Sequence, residues 1–231
     1  MLVNNSLYRS IIQLVSINTL SYLVMFLSSV IVFRTVDKSF YGLYVIILSL
    51  FAITELLMAG LNDCIVRFLK DKIPLQDKQG IILFVLYIKY LLILLFIIFI
   101  YFARKWGFFE FLIGNFKDVS TVLNSFLAVV VLNGIISNFI SVNNSILNSQ
   151  LKYKFVARID LARNFISLMV VFLLSFYTTN YLNYLLSYLF LNLVILLFLF
   201  YKIKNDFNQF SVLKIIKVKT TFSVAKKYIF P

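Results

Sequence analysis

The sequence predicts an all-α integral membrane protein, a bundle of six transmembrane helices, and three observations carry that prediction. Of its 231 residues 62% are hydrophobic, with a mean hydropathy of +0.96, a composition suited to a chain embedded in lipid rather than to a soluble core with an anchor. Apolar runs with at most one charge recur along the chain, each long enough for the ~30 Å hydrocarbon core of a bilayer. The 22 Lys and Arg residues fall almost entirely between those runs, where they set topology. In a soluble protein a net charge of +13 would suggest nucleic acid; here its placement gives it a topological role, and no nucleic-acid partner is expected.

The elements follow in order. The run Ser10 to Phe33 lies between Arg9 and Arg34 and has 24 residues, too long for the core of a signal peptide, and no small-residue cleavage site follows it. It is a first spanning helix, over residues 10–33. A second, over 39–62, carries only Glu55 and ends in Gly60-Leu61-Asn62-Asp63 before the basic stretch Arg67 to Lys78. A third, over 80–103, carries only Lys89. The fourth, over 119–150, has no charge at all. Asn164 to Tyr201 is uncharged for 38 residues, about 57 Å if helical and too long for one span. The polar Thr178-Thr179-Asn180 breaks it into helices over 157–177 and 181–201. The tail over 202–231 is basic and mildly amphipathic, with Phe207, Phe210, Leu213 and Ile216 at helical spacing, and suits the membrane interface. With the N-terminus in the cytoplasm, the inside segments hold sixteen Lys and Arg and the outside loops five. The positive-inside rule therefore places both termini in the cytoplasm.

The fourth helix is distinctive. At about 100° per residue, Gly134, Ser137, Asn138, Ser141, Asn144, Ser145 and Asn148 share one face. Such residues either glue helices together or wall a polar cavity; seven of them on one face is more than glue requires.

Charges within the spans are the other candidates. Glu55 lies eight residues before Asp63 and Lys89 eight residues after Ile81, so in an antiparallel hairpin both reach a similar depth, about 12 Å in, and can pair. A lone charge there costs roughly 2.5–3.5 kcal/mol, so a partner or a wet cavity is expected. The alternative is that Lys89 snorkels to the headgroups while Glu55 is protonated or faces water. Arg158, Asp160 and Arg163 form a further cluster, read as topology determinants with an i,i+3 pair, or as contacts to anionic headgroups of membrane lipids. The single Cys64 cannot form an internal disulfide, and the His-free composition leaves no Cys/His metal pattern. There are no paired carboxylates in one loop, no Asp-x-Asp, no Gly-rich phosphate loop and no Ser/His/Asp set. Neither enzymatic activity nor a cofactor is expected.

Three segments resemble a known family. Arg34 to Ser49, RTVDKSFYGLYVIILS, is similar to the segment linking the first two helices of polysaccharide flippases of the MOP (MATE-like) superfamily. Gly60 to Leu69, GLNDCIVRFL, looks like the Gly-Leu…Arg-Phe ending of that family's second helix. Asn144 to Arg163, NSILNSQLKYKFVARIDLAR, resembles the junction between its fourth and fifth helices. The resemblance implies one lobe of a MATE-like transporter that moves an undecaprenyl-diphosphate-linked oligosaccharide across the bacterial inner membrane, for polysaccharide or O-antigen synthesis alongside other polysaccharide-assembly proteins. It implies Arg34, Arg67, Lys89, Arg158 and Arg163 as candidates for the sugar diphosphate, of which only Arg34 and Arg67 sit in the helix-linking and helix-two motifs, the others being chosen by position. Asn138, Ser141, Asn144 and Asn148 would meet sugar hydroxyls, and Glu55 is the candidate for ion coupling. Family members usually have about twelve to fourteen helices, and the end of this chain at Tyr228-Ile229-Phe230-Pro231 looks like the approach to a seventh. The expectation is therefore an N-terminal lobe, working as part of a longer chain, with a separately encoded second lobe, or as a homodimer. Two other functions fit less of the pattern. A drug or cation antiporter would rest on Glu55, and a membrane polymerase or ligase would need a longer outer loop than Arg104 to Asp118.

Overall fold

Every residue in a lipid-embedded chain must have its backbone polar groups satisfied within the protein, and helices do this locally. The computed structural model describes residues 2–36, 38–71, 74–107 and 119–206, and all of its regular structure is helical. Among the described residues the helices are α1 (Leu2–Thr35), α2 (Lys38–Lys70), α3 (Leu75–Lys105), α4 (Val119–Ser149), α5 (Tyr153–Tyr177) and α6 (Tyr181–Asp206). Among the described residues, α1, α3, α4, α5 and α6 contain stretches long and apolar enough to cross a membrane. In α2, the side chains of residues 50–57, Glu55 among them, lie outside the described residues. So do residues 108–118 and 207–231.

Helix boundaries differ from the sequence expectation where charge was read as a stop. The second helix does not end at Gly60-Leu61-Asn62-Asp63 but continues to Lys70. One glycine costs a helix only about 1 kcal/mol, and continuation buries Ile65 and Leu69 in the core. The third helix starts five residues earlier than expected, at Leu75, immediately after Pro74, whose carbonyl accepts from the Lys78 N–H at 3.1 Å; a proline suits a helix start because it has no N–H to leave unpaired. Lys78 also donates from Nζ to the Leu69 carbonyl at 2.7 Å, capping the end of α2 across the turn. The fifth helix begins at Tyr153 rather than 157, so Lys154, Arg158, Asp160 and Arg163 all lie in its first three turns.

Short turns make successive helices antiparallel neighbours. Between α5 and α6, Asn180 Oδ1 accepts from the Leu182 N–H at 3.0 Å as an N-cap, and the Tyr184 hydroxyl reaches both the Thr178 carbonyl and Thr35 Oγ1, at 3.0 and 3.2 Å, tying this turn to the end of α1. The α4–α5 turn closes with the Lys152 N–H on the Leu147 carbonyl and the Leu151 N–H on the Asn148 carbonyl, at 3.1 and 3.0 Å. That pattern demands a left-handed residue, and Leu151 supplies it at φ 60°, where glycine is usual.

α1 packs mainly on α5, while α4 lies centrally against α2, α3, α5 and α6. One apolar cluster joins the end of α2, the start of α3 and the ends of α4 and α6, around Ile65, Ile82, Val85, Ile146, Leu147 and Leu199. A smaller one, Val36, Val171 and Tyr184, closes the opposite end. Large apolar side chains such as Phe26, Leu94, Phe99, Phe176, Phe190 and Leu197 point outward, as helices facing lipid require. Asn164 crosses from α5 to donate to Ser21 Oγ at 2.6 Å.

Replacing Leu151 by glycine removes the left-handed strain, and Leu151→Gly is expected to raise the stability of the chain by up to about 1 kcal/mol. A higher thermal unfolding midpoint in detergent micelles is the readout.

Candidate functional site

The polar face of α4 turns into the bundle and divides into two parts. Toward the α4–α5 turn it is closed. Lys89, 0% exposed on α3, donates from Nζ to Asn62 Oδ1 at 2.6 Å and to Ser141 Oγ at 2.7 Å. This ammonium is thus ringed by oxygens from α2 and α4. Burial of an ion costs several kcal/mol unless its hydrogen bonds are supplied, and here neighbouring helices supply them. Lys89 therefore does not snorkel to the headgroups. The Glu55 side chain, expected beside it, lies outside the described residues.

Around this lysine the serines of α4 bond largely to their own helix. Ser141 Oγ donates to the Asn138 carbonyl at 2.9 Å and Ser145 Oγ to the Ser141 carbonyl at 2.8 Å. Asn138 Nδ2 donates to the Gly134 carbonyl at 2.9 Å. Asn144 and Asn148 each bury an Oδ1 that has no hydrogen-bond partner among the described residues.

Toward the other end the face opens. Asn133, Gly134 and Ser137 form one wall of a cavity of about 410 Å³ whose other walls include Ser28 and Ser29 of α1, Tyr41 of α2, Ser167 of α5 and Tyr181, Tyr184 and Tyr188 of α6. The lining holds hydroxyls, an amide and aromatic rings among aliphatic side chains such as Met25, Val32, Val130, Val171 and Leu185, and no formal charge among the described residues. Ser28 and Ser29 donate to the carbonyls of Val24 and Met25, at 3.1 and 3.0 Å, which leaves their oxygens as acceptors. Asn133 Oδ1 accepts from Asn192 Nδ2 at 2.7 Å, and Asn192 is itself fully buried.

The expected basic residues do not converge. Arg34 ends α1 and Arg67 lies in the last turn of α2; both are exposed, and the length of α2, about 50 Å, separates the two ends. Arg158 is exposed at the start of α5 and lines a groove beside α1. Arg163 is partly buried, with Nη2 3.6 Å from Asp160 Oδ1, the i,i+3 pair anticipated from spacing. Of the five cations considered, only Lys89 meets the polar face of α4, at Ser141.

Sequence reasoning named the α4 stripe but not the tyrosines opposite it. Tyr181, Tyr184 and Tyr188 recur at i, i+3 and i+7 on α6, a spacing that would have placed them on one face. Asn192, alone in the apolar middle of α6, was a second available signal.

Compared with family models, with curated proteins and with solved structures, the chain has no match.

Removing the acceptor on α2 should expose the cost of the buried ammonium. Asn62→Leu is expected to destabilise the chain by about 1–3 kcal/mol, more than Ser149→Ala, which loses only a bond to the Ile146 carbonyl of its own helix. Thermal unfolding of the two variants in the same detergent checks the order.

Proposed function

We propose that the chain is a flippase lobe that carries an undecaprenyl-diphosphate-linked oligosaccharide across the bacterial inner membrane, with both termini in the cytoplasm. One observation carries the reading: the hydrophilic face of α4 opens inside an apolar-coated bundle onto a 410 Å³ cavity in which serine and tyrosine hydroxyls stand among aliphatic side chains. A membrane protein has little reason to enclose such a surface unless something hydrophilic meets it. Hydroxyl, amide and tyrosine groups suit sugar rings, whose edges form hydrogen bonds and whose faces stack on aromatics.

The resemblance of the Arg34–Ser49, Gly60–Leu69 and Asn144–Arg163 segments to polysaccharide flippases supports the same reading. Lys89 contributes a fixed positive charge on the α4 face below the cavity, at Ser141, and so favours an approaching diphosphate. A cation antiporter would draw on a carboxylate in the cavity, and none lines it among the described residues. In the assembled transporter this lobe pairs with a second lobe or with a second copy of itself.

Reconstituted into proteoliposomes, the chain is expected to expose lipid-linked oligosaccharide to an outer-leaflet probe faster than protein-free vesicles do. Lys89→Met should slow that exposure at least about tenfold, equivalent to 1.4 kcal/mol of barrier. Equal rates for wild type and variant speak against the reading; equal rates for wild type and empty vesicles speak against assembly from two copies of this chain and for a second lobe.

A further inference from the structure

A second recess lies at the opposite end of the bundle from the hydroxyl cavity. It is a groove of about 540 Å³ between the start of α1 and the α4–α5 turn, lined by Ser10, Ile11 and Leu14 on one side and by Leu151 to Phe155 and Arg158 on the other. Three cations, Lys152, Lys154 and Arg158, face it, with no carboxylate among the described lining residues. Two more stand behind its aromatic wall: Lys70 donates from Nζ to the Tyr153 hydroxyl at 2.9 Å, and Lys202 lies 5.7 Å from the centre of the Phe155 ring. Five positive side chains from α2, the α4–α5 turn, α5 and α6 thus gather at one place.

The level of the groove is set by the spans. The apolar stretches of α1, α4 and α5 begin at Ser10, end at Ser149 and begin at Tyr153 respectively, so the groove sits at the ends of the three stretches whose length and composition suit a bilayer. Its rim is apolar as well as charged. Ile11 is 52% exposed and Leu151 74%, and Leu151 is held in a left-handed conformation in which glycine would be less strained. A leucine kept at that position presents an apolar side chain to whatever lies outside. Cations within, leucine and isoleucine on the lip and a tyrosine at the boundary match an amphiphile whose head is anionic and whose tails are hydrocarbon. A soluble phosphate would use the cations and leave the lip unexplained.

We propose that this groove is a binding site for an anionic phospholipid, with the headgroup phosphate on Lys154 and Arg158 and the acyl chains against Leu151, Ile11 and Leu14. The site is distinct from the hydroxyl cavity and stands without the translocation reading.

The test uses the purified full chain in detergent, titrated with phosphatidylglycerol or phosphatidylcholine, with bound lipid counted by native mass spectrometry. Wild type is expected to retain phosphatidylglycerol in preference to phosphatidylcholine. The Lys154→Gln, Arg158→Gln double variant should bind phosphatidylglycerol about thirty-fold more weakly, at the attraction typical of one basic side chain near anionic lipid for each charge removed. The charge-conserving pair Lys154→Arg and Arg158→Lys should stay within about threefold of wild type, which separates a lost charge from a misfolded chain. Lys204→Gln, an exposed cation on α6 at the same end of the bundle, should change binding less than about twofold. Equal retention of the two lipids, an effect of Lys204→Gln as large as that of the double variant, or displacement of phosphatidylglycerol by equimolar inorganic pyrophosphate would each overturn the proposal.

Discussion

A lysine ammonium buried without exposure among the helices of a membrane bundle is the constraint around which the rest is arranged. Lys89 reaches Asn62 and Ser141 at 2.6 and 2.7 Å, and those bonds fix the mutual register of α2, α3 and α4. An ion in such surroundings is tolerated only when its donors are matched. The apolar cluster of Ile65, Ile82, Val85 and Ile146 packs the same three helices together, so charge and core reinforce each other at this end of the bundle. The α2 extension to Lys70 belongs to the same solution, since it carries Ile65 and Leu69 into that core.

From that closed end the α4 face grades into an open one. Ser145, Ser141 and Asn138 spend their donors on their own helix, which is how a short polar side chain survives in a packed seam. Asn133 and Ser137 instead face the cavity, across from Ser167, Tyr184 and Tyr188. The two readings of the stripe, helix glue and cavity wall, therefore describe different turns of one helix. Cations are segregated from this cavity. Of the basic side chains considered besides Lys89, Arg34, Arg67 and Arg158 lie exposed toward helix ends, while Arg163 is partly buried beside Asp160.

Much of this architecture was legible because lipid forces simple patterns. Long uncharged runs mark helices, and the Thr178-Thr179-Asn180 break was readable because Asn and Thr cap and end helices in a known way. The placement of the stripe on α4 followed from periodicity alone. Boundaries were harder wherever charge sat inside a helix, because Arg67, Lys70 and Arg158 continue their helices into the interface instead of ending them. Partners across helices were not legible at all. That Lys89 meets Asn62, that Asn164 meets Ser21 and that Asn192 meets Asn133 depend on helix rotation and register, which one chain's periodicity leaves free.

The central claim is that the α4 face near Ser137 borders a hydrophilic interior while the opposite face meets lipid. A cysteine scan in native membranes tests it most directly, in a Cys64→Ser background that removes the single native thiol. Ser137→Cys lies on the cavity wall, and Leu132→Cys replaces an outward side chain that is 52% exposed. The account predicts that a charged, water-soluble thiol reagent, applied to both sides of the membrane, modifies the cysteine at 137 and leaves the one at 132 unreacted. Modification at 132 but not at 137, or at neither, would contradict it.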